Sequence, residues 1–118
     1  ERMIEPTSGL SYTGPVILLT SDVTVSGGEI ATLALRELPN VTHVGTTTRG
    51  SFSTVLSKPL PNGWVLELSN EVIATPDGTV YEEVGILPEI EMSVFPQDAL
   101  IEGHKRAIDA IIANAPNF

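Results

Sequence analysis

Two short apolar runs on either side of a helix-length segment constrain the fold of this chain most strongly. The first run, Pro15–Ser21 (PVILLTS), is continuous and of strand length, as expected for a strand buried on both faces. After a turn at 22–25, Ser26–Leu38 carries apolar residues at helical spacing, and Pro39 follows as a stop signal. Val41–Gly45 is a second short strand. This order predicts a βαβ unit with parallel strands.

The pattern changes after Gly45 to short extended segments between turns. Pro-Asn-Gly at 61–63 and Pro-Asp-Gly at 76–78 supply turn residues, and Val80–Glu82 is a further extended piece. Strands are predicted at Phe52–Ser57, Trp64–Ser69, Glu71–Ala74 and Ile90–Val94, and a helix at Asp98–Ala113. Residues 1–14 are polar and turn-rich and are interpreted as a linker or surface crossing, with the folded part at 15–118. The whole predicts an α/β fold.

Composition narrows the classes of partner. The chain of 118 residues carries a formal net charge of -9, which repels phosphate backbones and argues against nucleic acid. Its longest apolar run is too short to cross a bilayer, so no membrane insertion is expected from this segment. The absence of cysteine excludes disulfides and thiol catalysis. Asp22, Asp77 and Glu89 do not cluster, so neither a metal nor another cofactor is predicted.

Ser26 is the candidate nucleophile because it lies where the first strand gives way to the helix. A helix N-terminus leaves N–H groups unpaired, and its dipole favours developing negative charge. Gly27 and Gly28 leave room for a substrate carbonyl, and the Gly27 N–H is a candidate oxyanion donor. The same stretch, Ser26-Gly-Gly-Glu29, also fits an S-x-x-E capping box. The local pattern alone therefore leaves a purely structural N-cap open.

The motifs around Ser26 resemble those of the C-terminal-processing (tail-specific) serine peptidases. The strand 14–21 and the Ser26–Glu29 stretch look like the family's nucleophile segment, in which the serine precedes a glutamate by three positions. Further matches follow in the family's order at 44–50, 60–63, 75–78 and 85–90. The resemblance implies the C-terminal part of a catalytic domain with a Clp-protease/crotonase-like mixed sheet and flanking helices. It also implies peptide-bond hydrolysis through an acyl-enzyme on Ser26.

The resemblance also bears on how the serine would be activated. Many members use a serine–lysine dyad, but Ser51 stands at the position of that lysine and Val55 at that of its supporting glutamine. The chain instead looks like the tricorn-like branch, whose members use serine, histidine and glutamate. This implies Glu82 as the glutamate, with Glu83 as the one-residue alternative.

Arg49 and the two histidines complete the set of candidate residues. Arg49, in a polar loop that the resemblance puts near the active site, is a candidate for binding a substrate carboxylate, with a solvated loop arginine as the alternative. His43, in the second strand, is interpreted as a sheet residue with a satisfied nitrogen, and His104 as a packing residue on the last helix. The resemblance implies that the general base comes from upstream, so the isolated segment is expected to be nearly inert.

The resemblance further implies unfolded chains or C-terminal segments as substrates and an extracytoplasmic location. The chain begins at Glu1 without methionine and is interpreted as a piece of a longer protein. An unpaired sheet edge in such a piece would permit homo-oligomers. Two alternatives stay open. One is a non-catalytic module of the same fold that carries apolar ligands or peptides, like the repeats of interphotoreceptor retinoid-binding protein. The other is a crotonase-type acyl-CoA enzyme, although nothing indicates a nucleotide site.

Overall fold

The computed structural model describes residues 8–9, 11–96 and 100–115. Residues 1–7 and 10 of the predicted linker lie outside the described residues, and that assignment stays a prediction. The elements in chain order are β1 (Val16–Thr20), α1 (Gly27–Arg36), β2 (Val41–Gly45), β3 (Val55–Pro59), β4 (Val65–Ser69), β5 (Ile90–Glu91) and α2 (Leu100–Asn114).

The framework is a parallel sheet in the order β1-β2-β5. Val16 pairs with Val41 at one end of β1, Thr20 pairs with Gly45 at the other, and Val44 pairs with Ile90 on the far side of β2. Helix α1 packs against β1 and β2. The predicted βαβ unit and the α/β class are therefore confirmed. Because β1 runs directly into α1, the turn between them lies at the carboxyl edge of the sheet.

Strands β3 and β4 form a separate antiparallel hairpin, from Val55 opposite Ser69 to Pro59 opposite Val65. Every residue of both strands is exposed. Parallel and antiparallel pairing thus occur in two sheets of the described chain rather than in one mixed sheet. Lys58, the lysine nearest in sequence to position 51, lies within β3 opposite Leu66 and is exposed.

The start of β3 differs from its prediction for a physical reason. The apolar pattern predicts a strand from Phe52, but β3 begins at Val55. The backbone N–H groups of Phe52 and Ser53 both donate to the Glu82 carboxylate, so they are not available to a ladder with β4. Phe52 is instead 1% exposed and packs near Tyr81, with ring centroids 6.1 Å apart.

The later elements are shorter than their patterns predict. The strand expected at Glu71–Ala74 is reduced to one bridge between Ala74 and Val80, and the strand expected at Ile90–Val94 ends at Glu91. The first residues of the helix predicted at Asp98–Ala113 lie outside the described residues. The isoleucines of this helix are only partly buried: Ile111 is 2% exposed, but Ile101 is 87% exposed. Within the described ranges, no helix is long and apolar enough to span a membrane.

His43 is fully buried in β2, and only one of its ring nitrogens has a partner. Thr20 Oγ1 donates its hydrogen to the Thr46 carbonyl oxygen at 2.9 Å, so it accepts from His43 Nε2 at 2.8 Å. This assigns the hydrogen to Nε2 and leaves the buried Nδ1 without a hydrogen bond. Burial lowers the pKa of His43, the nearby positive charge of Arg36 lowers it further, and Glu89 opposes both.

Because of His43, the free energy of unfolding is expected to decrease as the pH is lowered. A histidine whose pKa is lowered by folding stabilises the fold above its unfolded-state pKa of about 6.5, and this contribution is lost as the pH falls below that value. Thermal unfolding between pH 7.5 and 5.5 should show the loss. His43→Gln, which keeps a donor for Thr20 but does not titrate, should flatten the curve.

His104 supplies the control, since the chain contains two histidines. Its Nδ1 lies 2.9 Å from the Val94 carbonyl oxygen, and its ring stacks on Phe95. His104→Gln should leave the pH dependence in place. A curve that stays steep in His43→Gln and flattens in His104→Gln would contradict the assignment to His43.

Candidate active site

Ser26 is the N-cap of α1 and is exposed to solvent. Its backbone has φ 53° and ψ -118°, a left-handed conformation that is uncommon for a residue with a side chain. Such strain costs on the order of 1–3 kcal/mol and persists only where neighbouring groups enforce it. Here the Ser26 N–H donates to the Ser51 carbonyl oxygen at 2.8 Å, and its own carbonyl oxygen accepts from Glu29 N–H at 2.9 Å. The strand-to-helix turn therefore holds the serine in one conformation.

The Gly27 N–H, next to the serine, is available to a ligand. Gly27 is the first residue of α1, and its N–H donates no hydrogen bond within the described part of the chain. A Cβ atom at this position would meet nothing within 4 Å. The N–H thus stands in open space at the positive end of the helix dipole, where an anionic oxygen is favoured.

Glu29 does more than cap α1. The Glu29 half of the capping box predicted from the S-x-x-E pattern is present, with the Ser26 N–H 3.2 Å from Glu29 Oε2, while the Ser26 hydroxyl makes no side-chain cap hydrogen bond within the described residues. The carboxylate is also 0% exposed and binds the following loop. Oε1 accepts from Thr48 Oγ1 at 2.6 Å and from Gly50 N–H at 2.7 Å, and Oε2 accepts from Ser51 N–H at 2.8 Å. The capping interpretation and a place in the site are therefore compatible.

Glu82 binds the next part of the same loop. Its Oε2 accepts from Phe52 N–H at 2.9 Å and from Ser53 N–H at 3.0 Å. No hydrogen bond to Oε1 is present among the described residues, and the side chain is half-buried. Glu83 differs from it: its side chain is exposed, its φ is 64°, and its N–H donates to the Gly50 carbonyl oxygen at 2.7 Å. Of the two alternatives, only Glu82 has its carboxylate bound to the loop beside Ser26.

Four consecutive backbone N–H groups are thus divided between two carboxylates. The N–H groups at 50 and 51 donate to Glu29, and those at 52 and 53 donate to Glu82. Hydrogen bonds from N–H to an ionised carboxylate are stronger than those between neutral groups. The loop therefore joins the first turn of α1 to the turn that carries Glu82.

Two glycines allow these segments to approach each other. Gly50 has φ 75°, and a Cβ atom there would lie 2.7 Å from the Gly85 nitrogen. Gly85 has φ 79°, and its Cβ would lie 2.1 Å from the Thr48 carbonyl oxygen. Thr48 continues the contact, because its Oγ1 accepts from Ile86 N–H at 2.8 Å. Any side chain at either glycine would both strain the backbone and separate the two segments.

Arg49 extends from this loop toward the turn before α1. Its backbone N–H donates to the Thr24 carbonyl oxygen and its Nε to the Asp22 carbonyl oxygen, both at 3.0 Å, while the side chain stays exposed. Ser51, at the position of the dyad lysine, has its carbonyl oxygen on the Ser26 N–H. The structure therefore brings position 51 beside the serine, with a hydroxyl side chain instead of an ammonium.

A cavity of about 630 Å³ lies along the outer face of α1. It starts at Ile30, one helical turn beyond Ser26, and is lined mainly by apolar groups, including Leu33, Ile73 and Tyr81. The sequence contains no signal that would have predicted it, because its far wall comes from the irregular segment 73–81.

Sequence reasoning missed the long-range roles of Glu29 and Thr48. The capping pattern identified Glu29, but its donors at 48–51 are distant in sequence and follow no fixed spacing. Thr48 was one threonine of a polar run, with no feature that marked it from Thr46 or Thr47.

A strained serine at a sharp strand-to-helix turn, with a free N–H on the next residue, is the geometry of a nucleophile elbow in serine hydrolases. Comparison with known proteins agrees. Residues 2–92 match the model of Peptidase family S41. The chain belongs to this peptidase family, and the predicted family is therefore confirmed.

Individual relatives give the extent of the similarity. The chain is 33% identical over 76 residues to the carboxy-terminal-processing protease of Bartonella bacilliformis, covering 64% of this chain and 18% of that protein. Mature CPAF, solved in complex with lactacystin, has a TM-score of 0.79 at 20% identity, covering 95% of this chain and 23% of that one. The tricorn protease has a TM-score of 0.68 at 22% identity, covering 98% and 13%. The chain thus spans about a fifth of the curated relative's length.

Proposed function

We propose that this segment carries the nucleophile of a serine peptidase that hydrolyses peptide bonds through an acyl-enzyme on Ser26. The observation that carries the proposal is the exposed, strained Ser26 at the N-cap of α1, beside the unpaired Gly27 N–H. Oxygen nucleophiles need a presented hydroxyl and a donor for the oxyanion, and these two features supply both. Family membership supports the same chemistry.

The proposed reaction assigns each residue one step. A histidine from upstream takes the Ser26 proton as Oγ attacks the scissile carbonyl, and the Gly27 N–H donates to the resulting oxyanion. The C–N bond then breaks, and the histidine returns the proton to the leaving amine. Water next attacks the acyl carbonyl as the histidine takes its proton, the C–Oγ bond breaks to release the carboxylic acid product, and the histidine returns the proton to Ser26 Oγ. Glu82, whose Oε2 is fixed by the loop, presents Oε1 to hold the histidine and stabilise its protonated form.

Three features support the serine–histidine–glutamate arrangement over the serine–lysine dyad. Position 51 lies beside Ser26 but carries a serine. Lys58 lies in the exposed hairpin and not in the loop. His43 is buried in the sheet and bonded to Thr20. The base is therefore expected from outside residues 1–118, and the segment by itself is expected to be nearly inert. The extracytoplasmic location and the unfolded or C-terminal peptide substrates that the resemblance implies belong to the same proposal.

The cavity along α1 favours a second candidate function, the binding of an apolar ligand without catalysis. The cavity has a mainly apolar lining, and its volume is in the range of cavities that hold small molecules. A non-catalytic module has no use for a strained, exposed serine, and this is why the peptidase is preferred. Covalent labelling of the serine separates the two candidates.

Labelling by a fluorophosphonate tests the nucleophile in the full-length protein that carries this segment. Ser26 should be labelled, and Ser26→Ala should abolish both labelling and peptide hydrolysis. Glu82→Gln should lower kcat by about 10⁴-fold, the loss expected when the orienting acid of a triad becomes an amide. Glu83→Gln is the matched control and should change little, because its carboxylate is exposed. A protein that does not label, or one in which Glu83→Gln has the larger effect, would contradict these assignments.

Replacing the Gly27 N–H tests the oxyanion donor. An amide-to-ester substitution at the Ser26–Gly27 peptide bond, with glycolic acid in place of Gly27, should remove the N–H and, unlike proline, should not clash with the Ser26 conformation of φ 53° and ψ -118°. The expected loss in kcat is about 10²–10³-fold. Gly27→Ala keeps the N–H and its Cβ meets no atom within 4 Å, so it should lose at least tenfold less. Equal losses in the two variants, with equal melting temperatures, would remove Gly27 from the oxyanion site.

Arg49 is proposed to bind the substrate's terminal carboxylate, since its guanidinium is exposed next to the turn that leads to Ser26. Hydrogen bonds to a charged group contribute about 1.5–3 kcal/mol. Arg49→Gln should therefore raise KM by about 10–100-fold for a peptide with a free C-terminal carboxylate. The same peptide with a C-terminal amide should lose much less. If KM for the two peptides rises equally, Arg49 does not recognise the carboxylate.

A further inference from the structure

We propose that Glu29 is a positioning residue of the peptidase site, which holds the strained Ser26 and the Glu82 carboxylate in one arrangement through the 48–53 loop. This inference rests on the proposed function. In the proposed role, Glu29 does not touch the substrate. It acts through the groups that its carboxylate binds.

Glu29 is buried, and hydrogen bonds satisfy its charge. The side chain is 0% exposed, and the described residues contain no lysine or arginine within ion-pair distance of it. Its charge is satisfied by one hydroxyl and three backbone N–H groups, two donors on each oxygen. A carboxylate has about four acceptor positions, so this set saturates it. A buried carboxylate that is saturated in this way fixes its donors, because releasing any of them leaves part of the charge unpaired.

Backbone contacts link Glu29 to the candidate nucleophile. The Ser26 N–H lies 3.2 Å from Glu29 Oε2 and 2.8 Å from the Ser51 carbonyl oxygen, and Ser51 N–H donates to the same Oε2. These contacts tie both sides of the Ser26–Ser51 pair to one carboxylate oxygen. They provide the external constraint that a residue at φ 53° needs in order to keep its conformation.

The 50–53 segment also links Glu29 to Glu82. The two N–H groups that Glu29 binds, at 50 and 51, are followed without a gap by the two that Glu82 binds, at 52 and 53. The peptide units that carry the N–H groups of 51 and 52 share the Ser51 Cα atom, so releasing the first pair frees one end of the segment that holds the second. The Gly50 carbonyl oxygen also accepts from Glu83 N–H at 2.7 Å, which joins the loop to the turn that carries Glu82. Loss of Glu29 should therefore disturb the nucleophile and the orienting acid together.

Only a carboxylate at position 29 can accept from all four donors. A glutamine of the same shape has one oxygen and one NH₂ group, and the NH₂ group is only a donor. In one orientation it would face the N–H groups of Ser26 and Ser51, and in the other the Thr48 hydroxyl and the Gly50 N–H. Either orientation removes the acceptor from two buried or partly buried groups.

Glu29→Gln in the full-length protein tests the inference by the rate at which a fluorophosphonate labels Ser26. The rate should fall by about 100-fold, as for a small misplacement of reacting groups. The acid limb of the labelling pH profile should also move to lower pH, because a displaced Glu82 stabilises the protonated histidine less. A variant that is merely less folded would lose rate without moving the limb. Glu102→Gln is the control: Glu102 also lies in the first turn of a helix, but it is exposed.

Thr48 provides a second test if Glu29→Gln does not fold. Thr48→Val removes one donor to Glu29 and should slow labelling about tenfold, whereas Thr48→Ser keeps the hydroxyl and should restore most of the rate. Folded Glu29→Gln with a wild-type rate or an unmoved profile, or equal rates in the two Thr48 variants, would overturn the positioning role. Wild-type protein that does not label, or that still labels after Ser26→Ala, would instead overturn the proposed function.

Discussion

The buried carboxylate of Glu29 is the interaction on which the rest of the site depends. Taking a charge out of water is costly, and Glu29 is stable here only because four donors converge on it. Three of them come from a loop that is distant in sequence. Burial of this charge therefore selects one conformation of that loop, because other conformations leave donors or acceptors unpaired. Because the Ser26 N–H is one of the four donors, the need to pair the Glu29 charge also restrains the conformation of the serine.

Local signals explain where the sequence predicted the fold correctly. Val16–Thr20, Gly27–Arg36 and Val41–Gly45 carry local signals, an apolar run or helical spacing, that do not depend on other segments. Their boundaries agree with the prediction to within two residues. The prediction was wrong for 52–54, where an apolar pattern indicates a strand but the N–H groups go to Glu82. The Glu82 carboxylate, which is distant in sequence, overrides strand propensity there, and no local sequence pattern predicts this contact.

The residues of the candidate site also differ in whether a local pattern or a contact between distant segments defines them. Ser26 and Gly27 follow from a strand-to-helix junction and a capping motif, both of which can be read within a few residues. Glu82 was identified only by the resemblance to known peptidases. In the structure its carboxylate binds the loop, whereas Glu83 is exposed. The strain at Ser26 and the close approach of Gly50 to Gly85 could not be predicted, because each is set by the meeting of two segments in space.

A serine nucleophile needs a group of features built by neighbouring residues and a base that comes from a distant part of the chain. The presented hydroxyl, the free N–H and the helix dipole are built by one turn and one helix, and two carboxylates make them rigid. This part is preorganised, since its hydrogen bonds are formed before any substrate arrives, and donors held in place in this way lose little energy to rearrangement during reaction. The base is different, because a proton acceptor must lie within hydrogen-bond reach of Ser26, and neither histidine of the described chain hydrogen-bonds to it. Under the proposed function, the strain at Ser26 serves to present its hydroxyl to a base that lies outside this segment.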